Sequence, residues 1–191
     1  TNYTNSMKIK VNDTTIIWPK NDAESYTIVE IALSKWYDVR ISKQNSWFSP
    51  LDKEPNETFI DLKKNVVIVE MPSPDKEEKI RKMGHNVIII DHHDYPSLGF
   101  NRDNKLSSLE QFAYLIDYDL NHWEKGIAIN DQEYIYGLIK NKYSLDEINK
   151  IRKLDLKCQW YTEEDFKKAK FDLETGEKIN KNTTIYYSSI L

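Results

Sequence analysis

Acids and imidazoles suited to a hard or borderline divalent cation recur at four separated places in this chain. Asp91-His92-His93 follows the apolar run Val87–Ile90, and Glu70 follows Val66–Val69. Asp22 and Glu24 come early, and Asp131 lies far downstream in Ile127-Ala128-Ile129-Asn130-Asp131. The chain has four histidines, and two of them are neighbours at the mouth of an apolar strand. Mixed carboxylate and imidazole donors suit Mn²⁺, with Mg²⁺ as the harder alternative. One such ion, or a pair ~3.5–4 Å apart, polarises a phosphoryl group and makes water acidic enough to attack it. A carboxylate shared by two ions would hold both, and Glu70 is placed for that role. Asp91 is placed either to ligate or to orient an imidazole from behind. Each group also has a plainer reading. Asp91–His93 is a solvated turn, Glu24 an acid favoured by a helix N-terminus, Glu70 a strand-end acid facing water, and Asp131 a helix cap. Convergence in space decides between the two.

The elements that must position these groups follow from hydrophobic spacing. Val66–Glu70 and Val87–Ile90 are all-apolar strands that have lost the period-2 alternation, as strands buried on both faces do. Between them Ser73-Pro74 opens a helix that Gly84 ends. This is a βαβ unit of a parallel sheet, and ligands of such sheets gather at the carboxyl ends of the strands. Glu70 and Asp91 stand at those ends. Upstream, Lys8–Trp18 reads as two short strands about a turn at Asn12-Asp13. Asp22–Tyr37 reads as a loop entering a helix. Val39–Ile41, Trp47–Phe48 and Phe59–Asp61 read as short strands, with a polar loop over 49–57. Downstream, Ser107-Ser108-Leu109-Glu110 is a capping box that opens a helix through Leu120. Asn121–Asn130, Gln132–Lys140, Ser144–Leu154 and Glu163–Leu173 read as further helices, and Asn182–Ser189 as a final strand. Trp36, Trp47, Trp123 and Trp160 read as core or interface packing, and His85 and His122 as structural or exposed.

The order of these motifs resembles the DHH phosphoesterase superfamily, which includes RecJ-type exonucleases, nano-RNases, cyclic-dinucleotide phosphodiesterases and family II pyrophosphatases. The resemblance runs from about Ile16 to Leu138. The family's first motif, His-x-x-x-Asp-x-Asp after strand one, matches Trp18-Pro19-Lys20-Asn21-Asp22-Ala23-Glu24. Its second, an acid ending a later strand, matches Glu70. Its third is Asp91-His92-His93, and its fourth matches Asp131. The resemblance implies a three-layer, parallel-sheet α/β domain over residues 1–157, Mn²⁺ (or Mg²⁺) bound by Asp22, Glu24, Glu70, His92 and Asp131, and catalysis involving Asp91, His92 and His93.

Departures from the pattern bear on the chemistry. Trp18 stands where the family has a ligating histidine, and Glu24 and Glu70 replace aspartates with a longer reach. A metal held by Glu24, Glu70, His92 and Asp131 survives these changes, whereas one that uses Trp18 does not. Relatives of this type usually close the substrate against a second domain with a Gly-rich phosphate motif. Beyond Gly137 this chain has only Gly176, so residues 158–191 read as a linker helix and the start of a truncated or absent second domain. A protein partner or a second copy is one source for the missing half. Arg102 and Lys105, shortly after the histidine pair, are the nearest candidates for substrate phosphate.

Composition narrows the rest. At 191 residues the chain suits one domain with an appendage. A net charge of −4 without a Lys/Arg block makes extended duplex binding a poor reading. The longest apolar run is far short of the ~20 residues a membrane-spanning helix needs. One cysteine and no signal-peptide pattern point to the cytoplasm. Two functions remain. The first is an Mn²⁺-dependent phosphoesterase acting, exonuclease-like, on a nucleotide or short single-stranded oligonucleotide. The second is a catalytically impaired DHH-like module that binds protein or nucleic acid, as RecJ-like scaffolds in replicative helicase assemblies do. The retained acid–imidazole set favours the first, and Trp18 the second.

Overall fold

The structure, a computed structural model, describes residues 8–102, 104–181, 183–186 and 188. Four strands form one parallel sheet in the order β2-β1-β3-β4: β1 Thr14–Trp18, β2 Asp38–Ile41, β3 Asn65–Val69 and β4 Asn86–Ile90. The two apolar runs pair directly, Val66 with Val87 through Val69 with Ile90. Their lost alternation is explained by burial on both sides. Ile16, Trp18, Val67, Val69 and Ile90 face one apolar cluster, while Ile17, Val66 and Ile68 face another with Leu51, Met71 and Ile80. The protein is therefore α/β, with helices on both faces of the sheet.

Helix α1 (Ala23–Ser34) leads from β1 to β2, and α2 (Pro74–Lys82) from β3 to β4. Because β2 lies to one side of β1 and β3 to the other, the chain reverses direction across the sheet between β1 and β3. Crevices at such reversals open at the carboxyl ends of the strands. After β4 come the two-residue strands β5 (Asp94–Tyr95) and β6 (Phe100–Asn101). Helices α3 (Ser108–Ile116), α4 (His122–Lys140) and α5 (Leu145–Cys158) then pack with α1 on the larger cluster. Five of the six helices in the described residues open with a reciprocal capping box, at Asp22/Ser25, Ser107/Glu110, Asn121/Glu124, Ser144/Glu147 and Thr162/Asp165. Each box satisfies two backbone donors that a helix start leaves over.

Several elements depart from the sequence expectations. Val11–Asp13 is a 3₁₀ turn leading into one strand, not a hairpin turn between two. Phe59 ends a 3₁₀ turn, Asn56–Phe59, and Asp61 has φ 52°, which an extended strand excludes. Trp47–Phe48 is loop. Helix α3 stops at Ile116 because Asp117 adopts the left-handed cap conformation, φ 59°. The two expected helices after Asn121 are present, but they divide at Tyr134, φ 52° and ψ −149°, rather than at Asp131. The C-terminal segment is α6 (Glu163–Glu174) followed by a hairpin of β7 (Glu177–Asn180) and β8 (Thr183–Ile185), rather than one strand. Positions 182, 187 and 189 of that expected strand lie outside the described residues. Neither α6 nor the hairpin has a buried residue, so this tail adds little to the core. No helix of the described residues is long and apolar enough to cross a membrane.

Candidate metal centre

At the carboxyl edge of the sheet, four groups from four distant segments meet. One ligand atom each from Glu24, Glu70, His92 and Asp131 lies within 4.8 Å of all the others. His92 Nε2 is 2.7 Å from Asp131 Oδ2, 3.5 Å from Glu70 Oε1 and 3.6 Å from Glu24 Oε2. None of these atoms makes a hydrogen bond, and each is buried. A second grouping joins Glu70, His92 and His93 on the same distance criterion, so Glu70 and His92 belong to both.

Each side chain is brought in by a local feature of the fold. Glu24 is in the first turn of α1, and its other oxygen, Oε1, accepts the Leu109 N–H at the start of α3. That bond aims Oε2 at the cluster. Glu70 follows β3 and donates its backbone N–H to Ile90 O on β4. Its φ of 48° is left-handed backbone, which costs a non-glycine residue ~1–2 kcal/mol. Such strain persists where the surrounding structure fixes it, often at functional positions. Asp131 is one turn before the break at Tyr134 in α4.

Asp91 is consumed in holding its neighbours. Its Oδ1 accepts from the His93 backbone N–H and lies 3.0 Å from His93 Nδ1, and its Oδ2 accepts the Tyr95 hydroxyl at 2.9 Å. The aspartate is thus an orienting group, with the Nδ1–H tautomer of His93 assigned from that contact. Asp22 stands beside the cluster but outside the set of converging atoms. Its Oδ1 caps α1 by accepting the Ser25 N–H.

The electrostatics reflect crowded negative charge with little water. Burial first, then Glu70 and Asp131, push Asp22 well above the usual carboxylate range. Burial first, then Asp131 and Glu70, do the same to Glu24. Burial opposes charge on His92, but Asp131, Glu70 and Glu24 outweigh it and push that imidazole up to about 11. His93 is also raised: burial works against it, and Asp91 and Glu70 prevail. Buried carboxylates crowded in this way are costly unless a cation, the His92 imidazolium or a metal ion, neutralises them.

The cluster opens into a cleft of about 560 Å³ whose walls include Trp47, His92, His93, Asp131, Arg152 and Gln159. Arg102 and Lys105, expected to meet phosphate, do not line it. The Arg102 guanidinium is held by both oxygens of buried Glu77, at 2.6 and 2.7 Å, while Lys105 is exposed. Trp18 belongs to the core, edge-on to Tyr26 with ring centres 5.2 Å apart, and its Nε1 has no partner. Trp36, Trp123 and Trp160 are exposed rather than core residues. Trp47 is half-exposed and stands edge-on to the His93 ring at 5.6 Å. Arg152 and Asp155 on α5 and Gln159 just after it were not legible as cleft residues. The only signal was a buried aspartate within an otherwise amphipathic helix, and burial is not printed in a sequence. Comparisons with protein-family models, with curated proteins and with solved structures returned no match for this chain.

Proposed function

We propose that this protein is a divalent-metal-dependent phosphoesterase of the DHH type, using Mn²⁺ or Mg²⁺ and acting on a nucleotide or a short single-stranded oligonucleotide. The observation that carries the reading is the meeting of Glu24, Glu70, His92 and Asp131 with their facing atoms buried and without hydrogen-bond partners. Donor atoms without partners in a low-dielectric setting fit a cation better than they fit one another. The donor set, three carboxylates and one imidazole, is that of a hard-to-borderline ion. When bound there, such an ion supplies polarisation of a phosphoryl oxygen and acidifies water.

The chain's own groups divide the remaining work. Glu24, Glu70, His92 and Asp131 hold the cation, and Glu70 with His92 also reaches towards His93. Asp91, itself held by Tyr95, engages Nδ1 of the His93 ring and leaves Nε2 as the atom to take or return a proton or to add a ligand. Trp47 offers an exposed aromatic surface beside the site, and base–aromatic stacking is sequence-tolerant. Phe48, the next residue in the chain, and Phe100 line a separate cavity of about 450 Å³. These rings support a nucleotide substrate over a simple phosphate.

A second reading is favoured by Trp18, which is locked in the core and offers no ligand. On that reading the metal is structural and the surface binds a partner. Tyr134, Ile135, Tyr136 and Ile139 are exposed on the second half of α4 and suit such a contact. Hydrolysis of bis-p-nitrophenyl phosphate with and without Mn²⁺ separates the two. Metal-dependent turnover that His92→Ala removes supports the enzyme. Metal binding without turnover on this ester or on dinucleotides supports the module.

A further inference from the structure

Arg152 is a cation on the wall of the cleft that His92 and Asp131 also line, and it is built into place. One guanidinium nitrogen, NH1, donates to Asn130 Oδ1 and to Asp155 Oδ2, both at 3.2 Å. The group lies over the Tyr134 ring, 5.6 Å from its centre. Its side chain is 25% exposed, so part of the fork of donors remains open to the cleft. Asp155 is itself fixed, because Oδ1 accepts the Ala23 N–H of α1 and Oδ2 also accepts from Gln159 Nε2. Asn130 is buried and adjoins Asp131 in sequence, so the element that carries a cluster carboxylate also orients the guanidinium. A pre-oriented arginine over an aromatic face is the side chain best matched to a phosphate.

We propose that Arg152 forms an anion subsite of this cleft that takes a non-bridging oxygen of a phosphate, with Gln159 beside it. This rests on the phosphoesterase reading and names a recognition residue for it. The subsite explains how a chain without the Gly-rich phosphate motif presents a positive group to its substrate. It also assigns to α5 the role that sequence alone gave to Arg102 and Lys105.

The test is isothermal titration of inorganic phosphate into the Mn²⁺-treated protein, with the Mn²⁺-induced rise in melting temperature recorded in parallel. Arg152→Gln is expected to weaken phosphate binding about tenfold and to leave the Mn²⁺-induced rise intact. Asp155→Asn keeps an acceptor for Ala23 but turns an amide N–H towards Arg152, so it loosens the guanidinium without removing its charge and is expected to weaken phosphate binding less than Arg152→Gln. A merely structural ion pair predicts equal losses in both variants, and that result overturns the proposal. Equal phosphate affinity in the wild type and Arg152→Gln overturns it too, as does a wild type that binds Mn²⁺ but no phosphate. Arginine-dependent phosphate binding without any Mn²⁺ effect would keep the subsite and remove the metal reading. Absence of both removes both.

Discussion

His92 Nε2 and Asp131 Oδ2 lie 2.7 Å apart, and neither atom makes a hydrogen bond. A charged donor and acceptor at that separation ordinarily align. Here they share a small buried volume with Glu24 Oε2 and Glu70 Oε1 instead. Four groups separated by up to about a hundred residues thus converge on one point, with the imidazole within ion-pair distance of all three carboxylates. The account of function rests on that arrangement, and four consequences can be measured apart from its direct test.

The first concerns pH. In the metal-free protein Asp22, Glu24 and His92 all hold protons more tightly than in the unfolded chain. For groups raised in this way, the stabilising contribution is complete below the unfolded pKa and is lost as pH climbs through the folded one. For His92 that window runs from 6.5 to about 11. For the carboxylates it starts near pH ~4 and extends to their raised values. The metal-free melting temperature should fall between about pH 5 and pH 9, while the gain on adding Mn²⁺ should grow, because binding requires the same groups deprotonated. A scanning-calorimetry series with no such divergence contradicts this charge balance.

Glu70 places a ligand on left-handed backbone at φ 48°. Glu70→Gly removes the strain and one of the crowded carboxylates. In urea the metal-free variant should be more stable by on the order of 1 kcal/mol, and its response to Mn²⁺ should be lost. A variant that is less stable, or that still responds to Mn²⁺, argues against Glu70 as a strained ligand.

Asp91 and Tyr95 act through His93. Asp91→Asn should reduce metal-dependent phosphoesterase activity by about 10–100-fold, the usual effect of losing an orienting partner. Its circular dichroism spectrum should match that of the wild type. Activity at the wild-type level would show that the ring needs no such support.

Arg102 and Glu77 form a pair whose side chains are 14% and 4% exposed. Arg102→Ala leaves the Glu77 carboxylate buried and unpaired, which costs about 3–5 kcal/mol. Its urea midpoint should drop, while KM for the proposed phosphoester hydrolysis, measured on the folded fraction, should change little. An unchanged midpoint with a raised KM would return Arg102 to a role in substrate binding.

Much of the site was legible because the sheet makes it so. Strands buried on both faces read as apolar runs, and an acid directly after such a run must sit at the sheet's edge, which located Glu70 and Asp91. The helix cap at Ser107 was legible from short-range chemistry. Division of labour within the cluster was not. Whether Asp91 ligates or orients depends on where Tyr95 and His93 turn, and Asp22's carboxylate was claimed by its own helix. Arg102 was misplaced because Glu77, 25 residues earlier, approaches only in three dimensions. The place of Arg152 in the cleft was illegible for the same reason, since its partners Asn130 and Asp155 meet across two packed helices. The division of α4 was anticipated at Asp131, but its position at Tyr134 was not, because no glycine or proline marks it.

The central claim is that these distant acids and imidazoles hold one kind of ion. Titration of Mn²⁺ into the metal-free protein by calorimetry tests it most directly, with His92→Ala and Glu70→Gln as folded comparisons. Saturable uptake of at least one ion per chain, abolished in both variants, is the expected result. No uptake by the wild type, or equal uptake by the variants, would contradict it.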